Sequence, residues 1–451
     1  MSDELKMHMF GFVSTWLPVV WVFAVGACVG SLVNVLVYRL PKGMPVIVPS
    51  SRCPKCETKL TFKENIPILG WLMLRGKCRF CRLPISPEYP IVETIVAVLF
   101  AGTYLIWYTS VPGQEFLGID WSAVRPEWAK NEIRETWPAF TVLLVLLGSL
   151  VAMTIVDLKT YTIPLVLTWV PVGVAFVLHP ANTFLVDDFG LGYSSGTMGS
   201  WIIAIPDAGG WWWVGACVGA IIGLAIANVL VAKGAIGRSF ADYEEWEAKA
   251  LAQERAKRVE AGEPDVEADV EAEDGSGADP KADTPEMWVL YPHARREMVR
   301  ELAFLAPAAG LGWGGAVLAT KLGGESEVPL WLLVLTGVMM GYLIGGAVVW
   351  GVRIFGSLVF GKEAMGLGDV HVLAAIGACM GWPDAVLTFF AAVLVGLFMA
   401  VFGMIFNAKM ARMMAFGPCL AIGAVLVLFG KPLIEMGLGE LLHREVPFNL
   451  P

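Results

Sequence analysis

Apolar residues run along this chain in blocks of about twenty, with neither the alternation of a half-buried strand nor the single stripe of an amphipathic helix. A helix that crosses the hydrocarbon core of a bilayer needs about 20 such residues. Ten blocks fit or approach that length: 15–38, 89–109, 137–156, 163–181, 211–232, 301–320, 329–352, 370–383, 384–406 and 413–432. The block at 370–383 is short for a span. Polar stretches separate the blocks, so the pattern predicts an all-α polytopic membrane protein, a bundle of about ten transmembrane helices in a lipid bilayer.

Composition agrees, since 56% of the 451 residues are apolar and only 16% charged, far from the balance of a soluble domain. The first block follows Ser2, Asp3 and Glu4 and lacks a small-residue cleavage site, so it is expected to be a retained helix rather than a signal peptide. Orientation follows from Lys and Arg, which accumulate in cytoplasmic loops. Segment 39–87 is strongly basic, from Arg39 and Lys42 through Arg79 and Arg82, with only Glu57 and Glu64 opposing. It is expected inside, which puts 110–136, 182–210 and both chain ends outside.

The net charge of -9 has one source. Between Ser239 and Met287, sixteen Asp and Glu stand against five Lys and Arg, so the rest of the chain is slightly basic. The first half of that segment, "DYEEWEAKALAQERAKRVE", has the i,i+4 pairs Glu245/Lys249 and Glu254/Arg258 of an exposed helix. The second half, "AGEPDVEADVEAEDGSGADPKADTPE", has almost nothing to bury and is expected to be a disordered linker, with a partner-docking tail as the alternative.

The eight cysteines are of two kinds. Cys28, Cys217, Cys379 and Cys419 lie singly in apolar blocks, where a free Cys behaves as a small buried hydrophobe. Cys53 and Cys56 in "CPKC", with Cys78 and Cys81 in "CRFC", form two knuckles whose spacing suits a four-thiolate Zn2+ site. Four thiolates leave no open coordination position, so the metal would be structural. Disulfides or a redox pair are the competing reading, disfavoured in a reducing cytoplasmic loop.

Two lone acids mark one face of the bundle. Asp157 ends the block "TVLLVLLGSLVAMTIV", and Asp369 follows Gly366 and Gly368 in "GKEAMGLGDVHVL" at the mouth of another. Ionisable groups at such depth are costly and suggest function. Two nearby carboxylates can share a proton, one acting as base and one as acid; the alternative is that each merely terminates a helix at the lipid boundary.

The order of motifs resembles the type IV prepilin peptidases, a GxGD family of membrane aspartic proteases that act as leader peptidase and N-methyltransferase. The resemblance rests on "GSLVNVLVYRLP" (Gly30 to Pro41), the two knuckles, "ISPEYPIVE" (Ile85 to Glu93), "DLKTYTIP" (Asp157 to Pro164), "GYLIGGAVVW" (Gly341 to Trp350), "GKEAMGLGDVHVLAAIGA" and "FGPCLAIGA" (Phe416 to Ala424). It implies Asp157 and Asp369 as the catalytic pair and a cysteine-bound zinc. It further implies prepilin or pseudopilin substrates cut after Gly at the cytoplasmic face, as in type IV pilus and type II secretion systems. S-adenosyl-L-methionine would be the methyl donor for the new N-terminus. Glu93 is a candidate for a polar role near the methyl-transfer site, or else a snorkelling boundary acid. No glycine-rich strand-to-helix turn of the Rossmann type marks a cofactor pocket, and no nucleic-acid motif occurs.

Three departures from the family stand out. His371 and Val372 replace Lys-Leu after the second Asp, Leu165 replaces a polar residue after "TIP", and residues 182–327 have no counterpart in a compact eight-span pattern. The expected organisation is therefore a first helix (1–38), a cytoplasmic zinc loop (39–87) and membrane helices with Asp157 (88–181). An insertion (182–327) follows, with two extra helices and the acidic segment 233–300, and then the helices carrying the GxGD motif (328–451). Trp211 to Trp213 are expected in an interfacial aromatic belt. A peptidase without methyl transfer, a transporter, or a zinc-containing assembly scaffold remain alternative readings.

Overall fold

The computed structural model describes residues 3–188, 203–206, 210–260, 291–406 and 415–441, apart from positions 49, 54, 114, 117, 118 and 131. The acidic stretch 261–290, where most of the expected linker lies, falls outside the described residues. Among them the helices are α1 (Asp3–Arg39), α2 (Leu69–Met73), α3 (Glu88–Tyr104), α4 (Ile133–Thr160), α5 (Leu165–Asp188) and α6 (Trp211–Ala232). There follow α7 (Tyr243–Glu260), α8 (Ala294–Gly323), α9 (Leu330–Phe360), α10 (Leu367–Met380), α11 (Trp382–Phe406) and α12 (Phe416–Leu441). A two-residue hairpin pairs Glu115–Phe116 with Ile119–Asp120 outside the bundle.

Eight helices are long and apolar enough to cross a membrane: α1, α3, α4, α5, α6, α8, α9 and α11. Helix α10 and the apolar part of α12, Phe416–Lys431, are shorter. The 14 residues of α10 rise only about 21 Å at 1.5 Å each, against a hydrocarbon core of about 30 Å. Burial matches this position. Every residue from Val372 to Met380 is buried, as expected of a helix that is apolar all round and enclosed by others.

Around α10 stand α4, α5, α9, α11 and α12. Leu143, Leu146, Leu147 and Leu150 of α4 join Leu373 and Ile376 of α10 in one core. The outer helices turn their large side chains to lipid: Leu394, Leu397, Phe398 and Ile405 of α11 are all at least half exposed. Cys28, expected to be buried, is exposed, whereas Cys217, Cys379 and Cys419 are buried. Helix α1 sits at the margin against α3 and α4, so a residue in its apolar block can face lipid as readily as protein.

Glycine sets how closely the helices approach. Lipid is as apolar as leucine, so helices in a membrane associate through close packing, favoured by small residues. A β-carbon at Gly341 of α9 would lie 1.9 Å from the Gly377 carbonyl oxygen of α10, and one at Gly345 2.4 Å from that of Leu373. On α1, Gly26 and Gly30 meet the α3 backbone at Ala97 and Glu93 in the same way. Helices α6 and α8 pair through Gly215, Gly219 and Gly223, which face Gly315, Leu311 and Ala308. At the end of this pair the Trp211 indole N–H donates to the Ser326 carbonyl at 2.7 Å, and Trp212 stacks edge-on with Trp313.

The exposed helix α7 forms where the charge pattern places it. Its Lys249 ammonium lies 2.5 Å from Glu245.

The contrast between two glycines tests the packing. A β-carbon at Gly219 would lie 2.0 Å from the Leu311 carbonyl oxygen, whereas one at Gly310 meets nothing within 4 Å. Gly219→Ala is expected to destabilise by about 1–3 kcal/mol through overpacking. Gly310→Ala should be neutral or should stabilise by up to about 1 kcal/mol through helix propensity. Melting temperatures of the two variants in detergent check this.

Candidate functional site

Two helix ends converge at one end of the bundle. Asp157 occupies the last turn of α4, which Tyr161 closes in the left-handed conformation with its N–H donating to the Asp157 carbonyl at 2.9 Å. Asp369 occupies the first turn of α10, behind the extended Gly366. Ile163, from the loop between α4 and α5, packs beside both: β-carbons at Gly368 and at Gly417 would each come 3.3 Å from its side chain. The two carboxylates interact electrostatically. The chain thus brings together acids more than two hundred residues apart.

Three glycines shape the space around these acids. The Gly417 backbone N–H donates to the Asp157 carboxylate. A β-carbon at Gly417 would lie 2.5 Å from an Asp157 oxygen, and one at Gly366 3.6 Å from an Asp369 oxygen. Gly368 makes room for Ile163. Asp157 is 6% exposed and Asp369 is half-buried, so the pair lies at the edge of the packed core. His371 is half-buried two residues beyond Asp369. Leu165 begins α5 with its side chain exposed.

The cysteines gather as their spacing predicts. The ligand atoms of Cys53, Cys56, Cys78 and Cys81 all lie within 4.8 Å of one another, and the Cys53–Cys81 and Cys56–Cys78 sulfur separations are both 3.9 Å. A tetrahedral centre with metal–sulfur bonds of about 2.3 Å has sulfurs about 3.8 Å apart, so the four thiolates fit a tetrahedral metal.

The two knuckles are built alike. In each, the first Cys N–H donates to the residue five positions on, Thr58 or Leu83, at 3.0 and 2.9 Å. The residue after the second Cys, Glu57 or Arg82, has φ of 55° or 60° and returns its N–H to the first Cys carbonyl. Hydrogen bonds from Thr58, side chain and backbone, bring the Cys56 thiol down to about 6. The backbone N–H groups of Cys81 and Phe80 lower Cys78. Although the Leu83 backbone pulls Cys81 down, burial and the neighbouring sulfurs together push it up to about 11. A bound cation relieves that crowding by drawing off the thiol protons.

Glu93 has a structural position. It is 8% exposed on α3, and its carboxylate accepts the Ile68 N–H at 2.6 Å and a hydrogen bond from Ser31 of α1. Ile68 has φ 61° and ψ −57°, a left-handed conformation that a β-branched residue rarely adopts. Glu93 therefore ties the cysteine loop to α1 and α3. Gly417 and Ile163 were not singled out in the sequence as site residues, although both lie in the blocks "FGPCLAIGA" and "DLKTYTIP".

Residues 24–107 match the model of the Bacterial Peptidase A24 N-terminal domain, and residues 308–401 that of the Type IV leader peptidase family. The chain is 27% identical over 223 residues to a prepilin leader peptidase/N-methyltransferase of Pectobacterium carotovorum subsp. carotovorum, covering 45% of this chain and 70% of that protein. It is 48% identical over 81 residues to the protein of the same name from Myxococcus xanthus, covering 18% and 24%. With that of Klebsiella pneumoniae it shares 38% over 110 residues, covering 22% and 47%. The alignments thus span from about a quarter to 70% of these relatives. No solved structure matches the chain.

Elemental analysis of the purified protein is expected to find about one tetrahedral metal ion per chain. Cys78→Ser should lower that content severalfold and speed tryptic cleavage at Lys55 and Lys77, since Cys53, Gly70, Gly76 and Cys78 are the buried residues described between 43 and 87. Full metal content in the variant would refute the four-sulfur centre.

Proposed function

We propose that this chain, whose residues 24–107 and 308–401 match the Bacterial Peptidase A24 N-terminal domain and the Type IV leader peptidase family, is a membrane aspartic endopeptidase that removes the leader of type IV prepilins or secretion pseudopilins. The observation that carries this reading is the convergence of the end of α4 bearing Asp157 with the start of α10 bearing Asp369, where Ile163 meets both Gly417, which abuts Asp157, and Gly368, which precedes Asp369. Such a substrate has basic residues ahead of an apolar helix. Its cleavage site therefore sits at the cytoplasmic boundary by the same rule that places the basic loops of this chain inside. On this reading the Asp157 end, the cysteine loop and the acidic segment face the cytoplasm of a bacterium, and both termini face the periplasm.

The chemistry asked of the pair is general acid–base catalysis with one shared proton. The ionised carboxylate takes a proton from water as the water oxygen adds to the carbonyl carbon of the Gly before the cut. The protonated carboxyl donates to the carbonyl oxygen. When the tetrahedral species collapses, the C–N bond breaks and a proton passes to the leaving amine. No bond forms between enzyme and substrate. The exposed Gly366 keeps a side chain away from the Asp369 carboxylate, so an extended substrate backbone can approach it.

The four cysteines would hold Zn2+, the ion that tetrahedral thiolate sites most commonly take. It supplies folding energy to a loop with few buried residues and holds its two knuckles together. The second reaction, N-methylation of the new N-terminus, consumes S-adenosyl-L-methionine as co-substrate and rests on the relatives' names. A cavity of about 290 Å³ between α1 and the cysteine loop, lined by Arg39, Ser50, Thr61 and Asn65 among others, contains no carboxylate to bind ribose hydroxyls. It therefore does not fit that donor, and no step is assigned to its residues.

Asp157→Asn and Asp369→Asn are each expected to lower kcat for prepilin cleavage in proteoliposomes by at least about 10²–10⁴-fold, with insertion unchanged. Mass spectrometry of the wild-type product should show the leader removed and one methyl added. Cleavage surviving both substitutions would leave a scaffold; cleavage without the methyl would leave a peptidase alone.

Gly417→Ala should also be nearly inactive, because its β-carbon displaces the Asp157 carboxylate. A misplacement of about 1 Å can cost about 10²-fold in rate. An active Gly417→Ala enzyme would separate this glycine from the site.

A further inference from the structure

The insertion reaches the loop that delivers Asp369. Glu301, in the second turn of α8, is 3% exposed. Its carboxylate accepts the Arg353 Nε–H at 3.0 Å, the Trp350 indole N–H at 2.7 Å and the Ser239 hydroxyl at 2.5 Å. Arg353 of α9 is equally buried, and its other arm donates to the Glu363 carboxylate and to the Met365 carbonyl. One guanidinium thus joins the insertion to the segment 361–366, whose last residue caps α10 one turn before Asp369.

Other contacts close the same segment. The Tyr291 N–H donates to the Gly361 carbonyl at 2.7 Å, and the Ser357 hydroxyl accepts the Ala364 N–H at 3.1 Å. Phe240, from the insertion, lies 5.2 Å under the Arg353 guanidinium. Phe240, Tyr243 and Tyr291 form with Met298 an apolar cluster separate from the main core. Glu297, fully buried, accepts the Phe240 N–H at 3.0 Å and is paired with Arg300 at 2.9 Å. This anchors the segment before α7 on α8.

We propose that α8 and the segment before α7 act as a brace for the GxGD loop, with Glu301 and Arg353 as positioning residues that hold residues 361–366, and hence Asp369, in the reactive geometry. The physical ground is the fork of Arg353. A planar guanidinium donates in several fixed directions at once, which an ammonium cannot do, and here those directions end on α8, on Glu363 and on the loop backbone. A buried Arg and Glu are costly to desolvate and have little worth for stability alone. Their geometric effect is to fix the Met365 carbonyl four residues before a carboxylate that must meet its partner to within a fraction of an ångström. The brace rests on the peptidase reading for its activity readout, and its structural readout is independent of that reading.

The test uses the full chain in proteoliposomes with three variants. Arg353→Lys keeps the charge and loses the fork, Glu301→Gln keeps the shape and loses the charge, and Trp350→Phe removes one donor to Glu301 without altering charge. Each is assayed for kcat and KM on prepilin, for melting temperature, and for the rate at which trypsin releases a fragment ending at Lys362 in the loop. The expected result for Arg353→Lys is a fall of about 10-fold or more in kcat, with KM within about twofold of wild type, consistent with a misplaced catalytic group. Cleavage at Lys362 should become several times faster while the melting temperature changes little. Glu301→Gln should shift both readouts in the same direction, and Trp350→Phe less so. Unchanged kcat and unchanged Lys362 protection in a folded Arg353→Lys protein would overturn the brace, as would a loss of activity that only follows a fall in melting temperature. If wild type itself fails to cleave prepilin, the peptidase reading fails, and protection of Lys362 still decides whether Arg353 holds the loop.

Discussion

Helices in lipid have no hydrophobic effect to press them together, so this bundle depends on how closely its backbones can approach. Gly341 and Gly377 let α9 and α10 touch backbone to backbone, and α10 is the short, enclosed helix whose first turn carries Asp369. Gly26 and Gly30 bring α3 equally close to α1, and Gly215, Gly219 and Gly223 lock α6 to α8. Side chains at these positions would push the paired backbones apart. The same economy of atoms recurs at the site itself, where Gly417 gives Asp157 both a hydrogen-bond donor and the space to receive it.

The cysteine loop solves a different problem. With few buried residues it cannot fold on apolar burial, and two matched knuckles converge on one point instead. Glu93 then fastens this unit to the membrane helices, holding Ile68 in a conformation that costs energy in isolation. Glu93 thus sits between the four-cysteine loop and the α1–α3 pair.

The segment from α6 to α8 does more than cross the bilayer. Its helix pair supplies Glu301, its polar segments supply Phe240 and Tyr291, and all three bear on Arg353 or the turn after α9. Charged groups this well enclosed are held by geometry rather than by bulk stability. They lie on the path from α8 to the loop that precedes Asp369.

Much of this was legible along the chain, because the signals are local. A membrane span announces itself by length and apolarity, so α6 falls on Trp211–Ala232 as the pattern predicts. A thiolate cluster announces itself by two short spacings, and Asp157 and Asp369 by being acids beside apolar helices. What no spacing reveals is which faces meet. That Cys28 looks outward, that Glu93 reaches Ile68, that Gly417 leans on Asp157 and that Glu301 reaches Arg353 all depend on helices distant in sequence lying side by side. The sequence alone determined which segments enter the membrane and which residues can do chemistry, since these follow from solvation and side-chain type. The tertiary structure decided which of those residues act together, since that depends on the distances of closest approach between backbones, set jointly by many small residues.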